Sequence, residues 1–419
     1  MILMVFSLLP LLFVESAQKE VMVIQVQDVI NPVTSEFIEK SIKKANDRAM
    51  EALVIMLDTP GGLDTSMRSI IKAINSSDIP VVVYVAPPGA RAASAGVFIT
   101  LAAHVAAMAP GTNIGAAHPV GIGGKMDKTM VEKVTNDAVA YIRSIAERRG
   151  RNADWAEQAV RKSVSITASE ALKLGVIDMV SNNLTDLLKA IDGRKVNTLS
   201  GKKTLHTKDA ALVREEMGIR LKILAMISNP NVAYILMLLG FYGLFFELTN
   251  PGAIFPGVVG GICLILAFYA FQTLPVNYAG LLLIILAIIM FVLEVKITSH
   301  GVLTIGGLIS MIIGSLMLFE SPGPFLKLSI YLILPAALLT ALFFSVTVGL
   351  ALKAWKRKPV TGVEGLVGIE GLAHTDIYKD GMALVRGEYW QAYSDEPIKK
   401  GERIRVESVS GLRIKVKRQ

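Results

Sequence analysis

Between residues 231 and 355 the chain carries five long apolar runs, at about 231–247, 254–274, 279–295, 302–319 and 328–352, joined by short polar or Gly/Pro-containing segments. A bilayer-spanning helix needs roughly 20 apolar residues, and only helices or closed barrels satisfy their backbone groups inside lipid. Several of the runs are near that minimum, so the pattern allows five spans, or four and a re-entrant piece. Small-residue clusters, Gly257 to Gly261 and Gly306-Gly307 with Gly314, allow close helix contacts in lipid. Of the 419 residues 52% are hydrophobic and 19% charged, with the apolar excess concentrated here, which indicates a membrane protein with soluble ends. The basic run Lys353 to Lys358 directly after the last apolar segment marks a cytoplasmic end. With an odd number of spans, the N-terminal region is then extracytoplasmic.

Length alone argues for two or three domains. Residues 1–17 combine a short apolar stretch with small residues near Ser16 and Ala17, the pattern of an export signal. Over residues 18–205, short β-branched runs (VMVIQVQ, ALVIMLDT, PVVVYVAP) alternate with segments of helical period, which implies βαβ units and a mostly parallel sheet. Ser35 and Ser66 stand where two of those helices would start. Residues 206–229 are expected to be a linker and an amphipathic helix, followed by the apolar bundle at 230–355. From 360 to 419 the pattern becomes short alternating strands with Gly-rich turns, the signature of a small all-β barrel of the OB type.

The formal net charge of +8 invites a nucleic-acid reading. Much of it, however, lies in the membrane-flanking run and in the tail Arg413 to Arg418, so nucleic acid is not an expected partner. Tyr389 and Trp390 could stack bases in an OB barrel, or simply pack it or face a protein. The single cysteine, Cys263, lies in an apolar run and excludes a disulfide framework. His104, His118, His206, His300 and His374 show no metal-ligand spacing, and no glycine-rich phosphate loop follows a strand, so no cofactor is expected.

Two windows carry chemistry. Leu57-Asp-Thr-Pro-Gly61-Gly62 ends a buried strand with residues that let the backbone turn sharply and present N–H groups, donors suited to an oxyanion. About thirty residues on, Ser94 sits among small residues in Gly89-Ala-Arg-Ala-Ala-Ser94-Ala95-Gly96, ahead of an apolar helical run. Taken locally, a serine there reads as a helix cap more readily than as a nucleophile.

Taken together, and with AMAPGTNIGAAHPV, NDAVAYIRSIAERRGRN and SITASEALKLGVID in this order, the windows resemble the ClpP/crotonase superfamily. More narrowly, the whole chain resembles the NfeD family of membrane-bound, ClpP-class serine peptidases. The resemblance implies an α/β ClpP/crotonase-like domain, a transmembrane bundle and a C-terminal OB-like barrel. It makes Ser94 the nucleophile, with Gly61, Gly62 and the Ala95 N–H as the oxyanion site. Lys133, in Glu-Lys-Val-Thr-Asn136, occupies the position of the family's general base, just before a helix. His118 is the alternative base, although the matching segment Arg161 to Ile166 offers no carboxylate to orient it. The Gly/Lys-rich stretch Gly121 to Met130 is expected to be a mobile loop that places Lys133 when substrate binds. The resemblance also implies an extended, hydrophobic peptide substrate from a stomatin-like membrane protein, contact with membrane lipid, and at least a dimer. A non-catalytic scaffold for stomatin-type assemblies is the alternative from another class; acyl-CoA chemistry does not suit a membrane-tethered chain with Lys133.

Overall fold

The computed structural model describes residues 19–120, 127–249, 252, 254–272, 274, 276–297, 299, 301–319, 328–355 and 363–419. The expected export signal at 1–17, the first part of the expected loop (121–126), His300 and Lys356 to Lys358 lie outside them. Two compact units divide the chain: residues up to Ile285 with Ser310–Pro335, and Leu286–Ile309 with Ala336–Gln419.

The first unit opens with β1 (Glu20–Val26), α1 (Pro32–Asp47), β2 (Ala52–Leu57), α2 (Asp64–Asn75), β3 (Val81–Val85), β4 (Arg91–Ala93), α3 (Ala95–Ala102) and β5 (Val105–Met108). It continues through β6 (Asn113–Gly115), α4 (Lys128–Arg148), α5 (Ala153–Arg161), β7 (Ser165–Thr167), α6 (Ala168–Lys173), β8 (Met179–Val180) and α7 (Leu184–Ile191). A hairpin of β9 (Lys195–Thr198) and β10 (Gly201–Thr204), then β11 (Ala211–Glu215) and α8 (Ile219–Ile227), lead to the apolar helices.

The central sheet has the order β11-β1-β2-β3-β5-β8 and every pairing in it is parallel. Its inner strands β2, β3 and β5 read as unbroken apolar runs because both faces are covered. Met22, Ile24, Leu53 and Ile55 enter one core, while Val21, Val23, Ala52 and Val54 enter a second beneath α7. A small sheet, β4-β6-β7, stands apart and carries the site described below.

Three local expectations change. The cap of α1 is Asn31, whose side chain accepts from Thr34 N ahead of Pro32; α2 starts at Asp64 after an uncapped Leu63. Ser35 and Ser66 lie inside the helices instead, and the Ser35 hydroxyl bonds the Ser66 carbonyl at 3.2 Å, stitching α1 to α2. The expected linker at 206–229 contributes β11 to the central sheet, so the α/β fold extends past residue 205. Alternating exposure along β11 gave that edge strand no apolar run to read.

Apolar helices follow at α9 (Pro230–Thr249), α10 (Ile254–Phe271), α11 (Tyr278–Lys296), α12 (Val302–Met317) and α13 (Ile330–Trp355). Among the described residues two stretches, Pro230–Leu248 and Ile254–Phe271, are long and apolar enough to cross a membrane; the apolar parts of the other three helices are shorter. In the first unit, a methyl at Gly243 of α9 would lie 2.4 Å from the Pro256 carbonyl oxygen, and one at Gly280 would lie 2.8 Å from that of Gly314. Tyr234 and Ser315 share a buried hydrogen bond at 2.8 Å. In the second unit the Glu294 carboxylate accepts from Ser299 Oγ and from the N–H groups of Gly301 and Thr304, capping the start of α12.

Also in the second unit, β12 (Glu370–Ala373), β13 (Gly381–Val385), β14 (Glu388–Tyr393), β15 (Arg403–Ser410) and β16 (Arg413–Arg418) close a barrel in the order β12-β13-β14-β16-β15. Ala383, Val385, Ala392, Ile404, Val406, Ile414 and Val416 fill it. Five of its cations are matched by carboxylates: Arg405 with Glu370, Lys415 with Asp395, Lys417 with Glu407, Arg418 with Glu402 and Arg413 with Asp380. Trp390 packs against the barrel core, whereas Tyr389 is exposed and meets the His374 ring at 4.8 Å.

Candidate active site

Ser94 stands at the junction of strand and helix. β4 pairs in parallel with β6, and Thr59 bridges to Ala92, so three chain segments converge just before it. The Ser94 N–H donates to the Gly115 carbonyl at 3.1 Å, and α3 begins at the next residue. Its backbone has φ 52° and ψ −115°, a conformation that side chains rarely adopt, and its hydroxyl makes no capping bond. A cap would hold an extended backbone and turn its oxygen onto the helix N–H groups. Here a sharp strand-to-helix turn, flanked by the buried Ala92 and Gly96, carries a strained serine, the arrangement that presents a nucleophile.

The Gly61-Gly62 loop lies directly against it. A methyl on Gly61, whose φ is +119°, would come within 2.6 Å of Ser94 Cβ and 3.1 Å of its Oγ. A methyl on Gly62 would reach 2.0 Å from the Ile30 carbonyl oxygen. Ile30 clamps the loop from the other side, donating to Gly61 O at 2.8 Å and accepting from Leu63 N at 2.8 Å. The Gly61 N–H is directed inward, to Thr59 Oγ1 at 3.1 Å. Among the described residues the N–H groups of Gly62 and Ala95 have no intramolecular acceptor. Of the three residues expected as oxyanion donors, those two are therefore available, and Gly61 contributes space instead.

The helix that follows Ser94 is fixed at its far end. Arg151, almost wholly buried, donates to the Leu101 and Ala103 carbonyls at 2.6 and 2.9 Å, and Arg149 donates to Ala102 O at 2.8 Å. Two guanidinium groups thus satisfy the orphan carbonyls of α3 and complement its dipole. Arg151 is itself held by Asp178 at 2.6 Å, which also takes Arg194 at 2.6 Å. Burial pushes the Asp178 carboxyl up, but Arg151, the Ala106 N–H and Arg194 outweigh it and leave its pKa below the ordinary value.

Lys133 and His118 approach from different elements. α4 begins earlier than expected, capped by Asp127 through Met130 N, so Lys133 lies in its second turn and residues 128–130 belong to helix rather than loop. Its side chain is exposed. Lys133, Asp137 and Tyr141 follow one another at four-residue intervals along one stripe. Asp137 reaches Arg68 of α2 at 2.5 Å, the Arg68 guanidinium lies 4.3 Å over the Tyr141 ring, and Tyr141 stacks on Phe98 of α3 at 6.1 Å. The stripe bearing Lys133 is therefore the one turned toward α2 and the helix of Ser94. His118, three residues beyond Gly115, is partly buried, and its Nδ1 lies 2.9 Å from the Val160 carbonyl oxygen of α5. A carbonyl can only accept, so that contact sets Nδ1 as donor and leaves Nε2 with the lone pair in the neutral ring. No hydrogen bond joins Ser94 to Lys133 or His118 among the described residues. His104 is outside this site: burial, with Arg149 and Arg151 nearby, lowers its pKa to about 3, and its Nδ1 accepts from Val81 N.

The sequence pointed to Ser94, Gly61, Gly62, Ala95, Lys133 and His118. It gave no sign of Arg68, Asp137, Tyr141, Arg149, Arg151 or Asp178. Arg68 and Asp137 are 69 positions apart, and nothing local to either indicates the contact. The carboxylate sought for His118 in 161–166 is replaced by a main-chain carbonyl, which no residue-type pattern reveals.

Among the described residues no group of His, Cys, Asp or Glu could hold a metal ion. Residues 20–198 match the NfeD1b N-terminal domain, 231–350 the NfeD integral membrane domain, and 363–418 the NfeD-like C-terminal, partner-binding domain. The chain is 38% identical over 433 residues to the membrane-bound protease PH1510 of Pyrococcus horikoshii, covering 100% of this chain and 97% of that one. It is 27% identical over 445 residues to the membrane protein NfeD1b of Bacillus subtilis, covering 98% and 96%. Among solved structures, the 1510-N membrane protease specific for a stomatin homolog, from Pyrococcus horikoshii, is 37% identical, with 51% of this chain and 100% of that chain covered and a TM-score of 0.45.

Proposed function

The chain belongs to the NfeD family, and on that footing we propose that it is a membrane-anchored serine endopeptidase working through a Ser94–Lys133 dyad. The observation that carries this reading is Ser94 itself, held at φ 52° on a strand-to-helix turn with Gly61 packed on its Cβ. Strain of this kind costs on the order of 1–3 kcal/mol and needs a functional reason.

In this mechanism a neutral Lys133 takes the Ser94 proton as Oγ attacks the scissile carbonyl. The negative oxygen of the tetrahedral intermediate is received by the N–H groups of Gly62 and Ala95, at the positive end of α3. The resulting ammonium returns its proton to the leaving amine, and water then releases the acyl group by the same steps. An exposed lysine is mostly charged at neutral pH, so the reaction needs the bound peptide to cover Lys133 and favour its neutral form. Exposed Met130 and Val134, beside Lys133 on α4, suit a hydrophobic peptide.

Hydrophobic segments of membrane proteins, stomatin homologues among them, are the substrate class this reading implies, and the C-terminal barrel would hold such a partner. Five spans, the protease domain extracytoplasmic and the barrel cytoplasmic, a cleaved signal at 1–17 and a dimeric or larger assembly complete the proposal.

A second reading takes His118 as the base, and the Val160 contact is what favours it. Fluorophosphonate labelling of the full-length protein separates the two. Ser94→Ala is expected to abolish labelling, and Lys133→Ala to lower it at least tenfold while His118→Ala leaves most of it. The reverse order transfers the role to His118; unchanged labelling in Ser94→Ala ends the peptidase reading and leaves a scaffold.

A further inference from the structure

The base helix is docked by an ion pair that the mechanism above does not use. Arg68 projects from the first half of α2 and meets three groups at once: Asp64 on its own helix at 2.8 Å, Asp137 of α4 at 2.5 Å and the face of Tyr141 at 4.3 Å. Tyr141 in turn lies on Phe98, one turn into α3 from Ser94. Arg68 thus ties the stripe of α4 that bears Lys133 to α2, beside the core packing of Ala138, Val139, Ile142, Ile145 and Ala146.

Asp137 is also the i+4 neighbour of Lys133. On a helix surface such a carboxylate and ammonium attract, and the attraction favours the charged lysine. A general base has to be neutral. We infer that Arg68 is a positioning residue for the Ser94–Lys133 pair: by taking the Asp137 carboxylate it docks the base helix and withdraws the counter-ion that would otherwise keep Lys133 charged. The inference rests on the dyad reading given above.

The surroundings leave Asp137 as the deciding group. On α4, Glu132 precedes Lys133 and points to a different face, and Asn136 is taken by Arg161 at 3.0 Å. From α2 come Arg68 and Asp64, which are paired with each other. From α5 come Glu157 and Arg161, which are also paired, at 2.6 Å. α3 presents no side chain that titrates in the working range, and His118 is turned to the Val160 carbonyl.

The test is the pH dependence of Ser94 labelling by a fluorophosphonate in the full-length protein. Arg68→Gln is expected to move the acid limb upward by roughly 0.3 pH unit, about twofold in rate on that limb, the displacement an i,i+4 pair produces. Adding Asp137→Asn to Arg68→Gln is expected to return the limb to its original position. An Arg68→Gln variant that loses rate equally at every pH, or whose limb Asp137→Asn fails to restore, overturns the inference and leaves Arg68 a structural residue. Lys133→Ala in the same series tests the underlying reading separately: if it keeps the full rate and the same acid limb, the dyad fails whatever Arg68 does.

Discussion

At the scale of single residues, the site depends on one strained side chain and one missing one. Ser94→Gly removes the penalty of a side chain at positive φ, so the variant is expected to be inactive yet more stable. For a domain of this size about 1 kcal/mol corresponds to a rise of roughly 2–4 °C in the unfolding midpoint. Differential scanning fluorimetry of the detergent-solubilised protein reads it directly. Gly61→Ala acts in the opposite direction. Its methyl would press on Ser94 Cβ from 2.6 Å while holding a backbone at φ +119°. A loss of about 1–3 kcal/mol and of at least tenfold in Ser94 labelling is expected.

At the scale of elements, α3 is a short helix with its start in the site and its carbonyl end pinned by Arg149 and Arg151. Removing one member of a buried ion pair strands the other, so Arg151→Met is expected to cost about 3–5 kcal/mol. The pair also sets an acid limit. Because the Asp178 carboxyl titrates below its ordinary value of 3.8 when folded, its contribution is complete above that value and is lost as pH falls through the lower, folded one. Unfolding midpoints measured from about pH 6 down to about pH 3 should fall steeply at the acid end, and less steeply in Asp178→Asn. In the apolar helices, Gly243→Leu is expected to lower the midpoint in detergent by several degrees. Gly261→Leu should be tolerated, since nothing lies within 4 Å of a methyl there.

At the scale of the whole molecule, chemistry and anchoring are divided among parts of different composition. The apolar helices form the anchoring part, and five of the barrel's cations are matched by its own carboxylates. The candidate site of Ser94 lies in the α/β domain. An odd number of spans would put that domain and the barrel on opposite sides of the membrane. With Cys263 replaced by serine, a cysteine at Asn197 should then react with a membrane-impermeant maleimide in intact cells, and one at Lys400 only after lysis. Reaction of both in intact cells would require an even number of spans.

Much of this was legible from local pattern. Unbroken β-branched runs mark strands covered on both faces, apolar length marks the helices 230–355, and alternation marks the barrel; each depends only on residues near in sequence. Motif order likewise brought Ser94, Gly61, Gly62 and the two candidate bases together. What the chain did not announce depends mostly on contacts far apart along it: β11 as an edge strand of the central sheet and the Arg68–Asp137 and Arg151–Asp178 pairs. Asn31 as the cap in place of Ser35 and the inward turn of the Gly61 N–H are local contacts, but residue types alone allow more than one such partner. Ser94 shows the division most clearly. Small neighbours ahead of an apolar helix favour a cap without excluding a nucleophile, because both use the same residue types at the same place. Only the tertiary structure forces the backbone to φ 52°, by pinning Ser94 N to Gly115 while Arg149 and Arg151 fix the far end of its helix, and that geometry frees the hydroxyl a cap would have used.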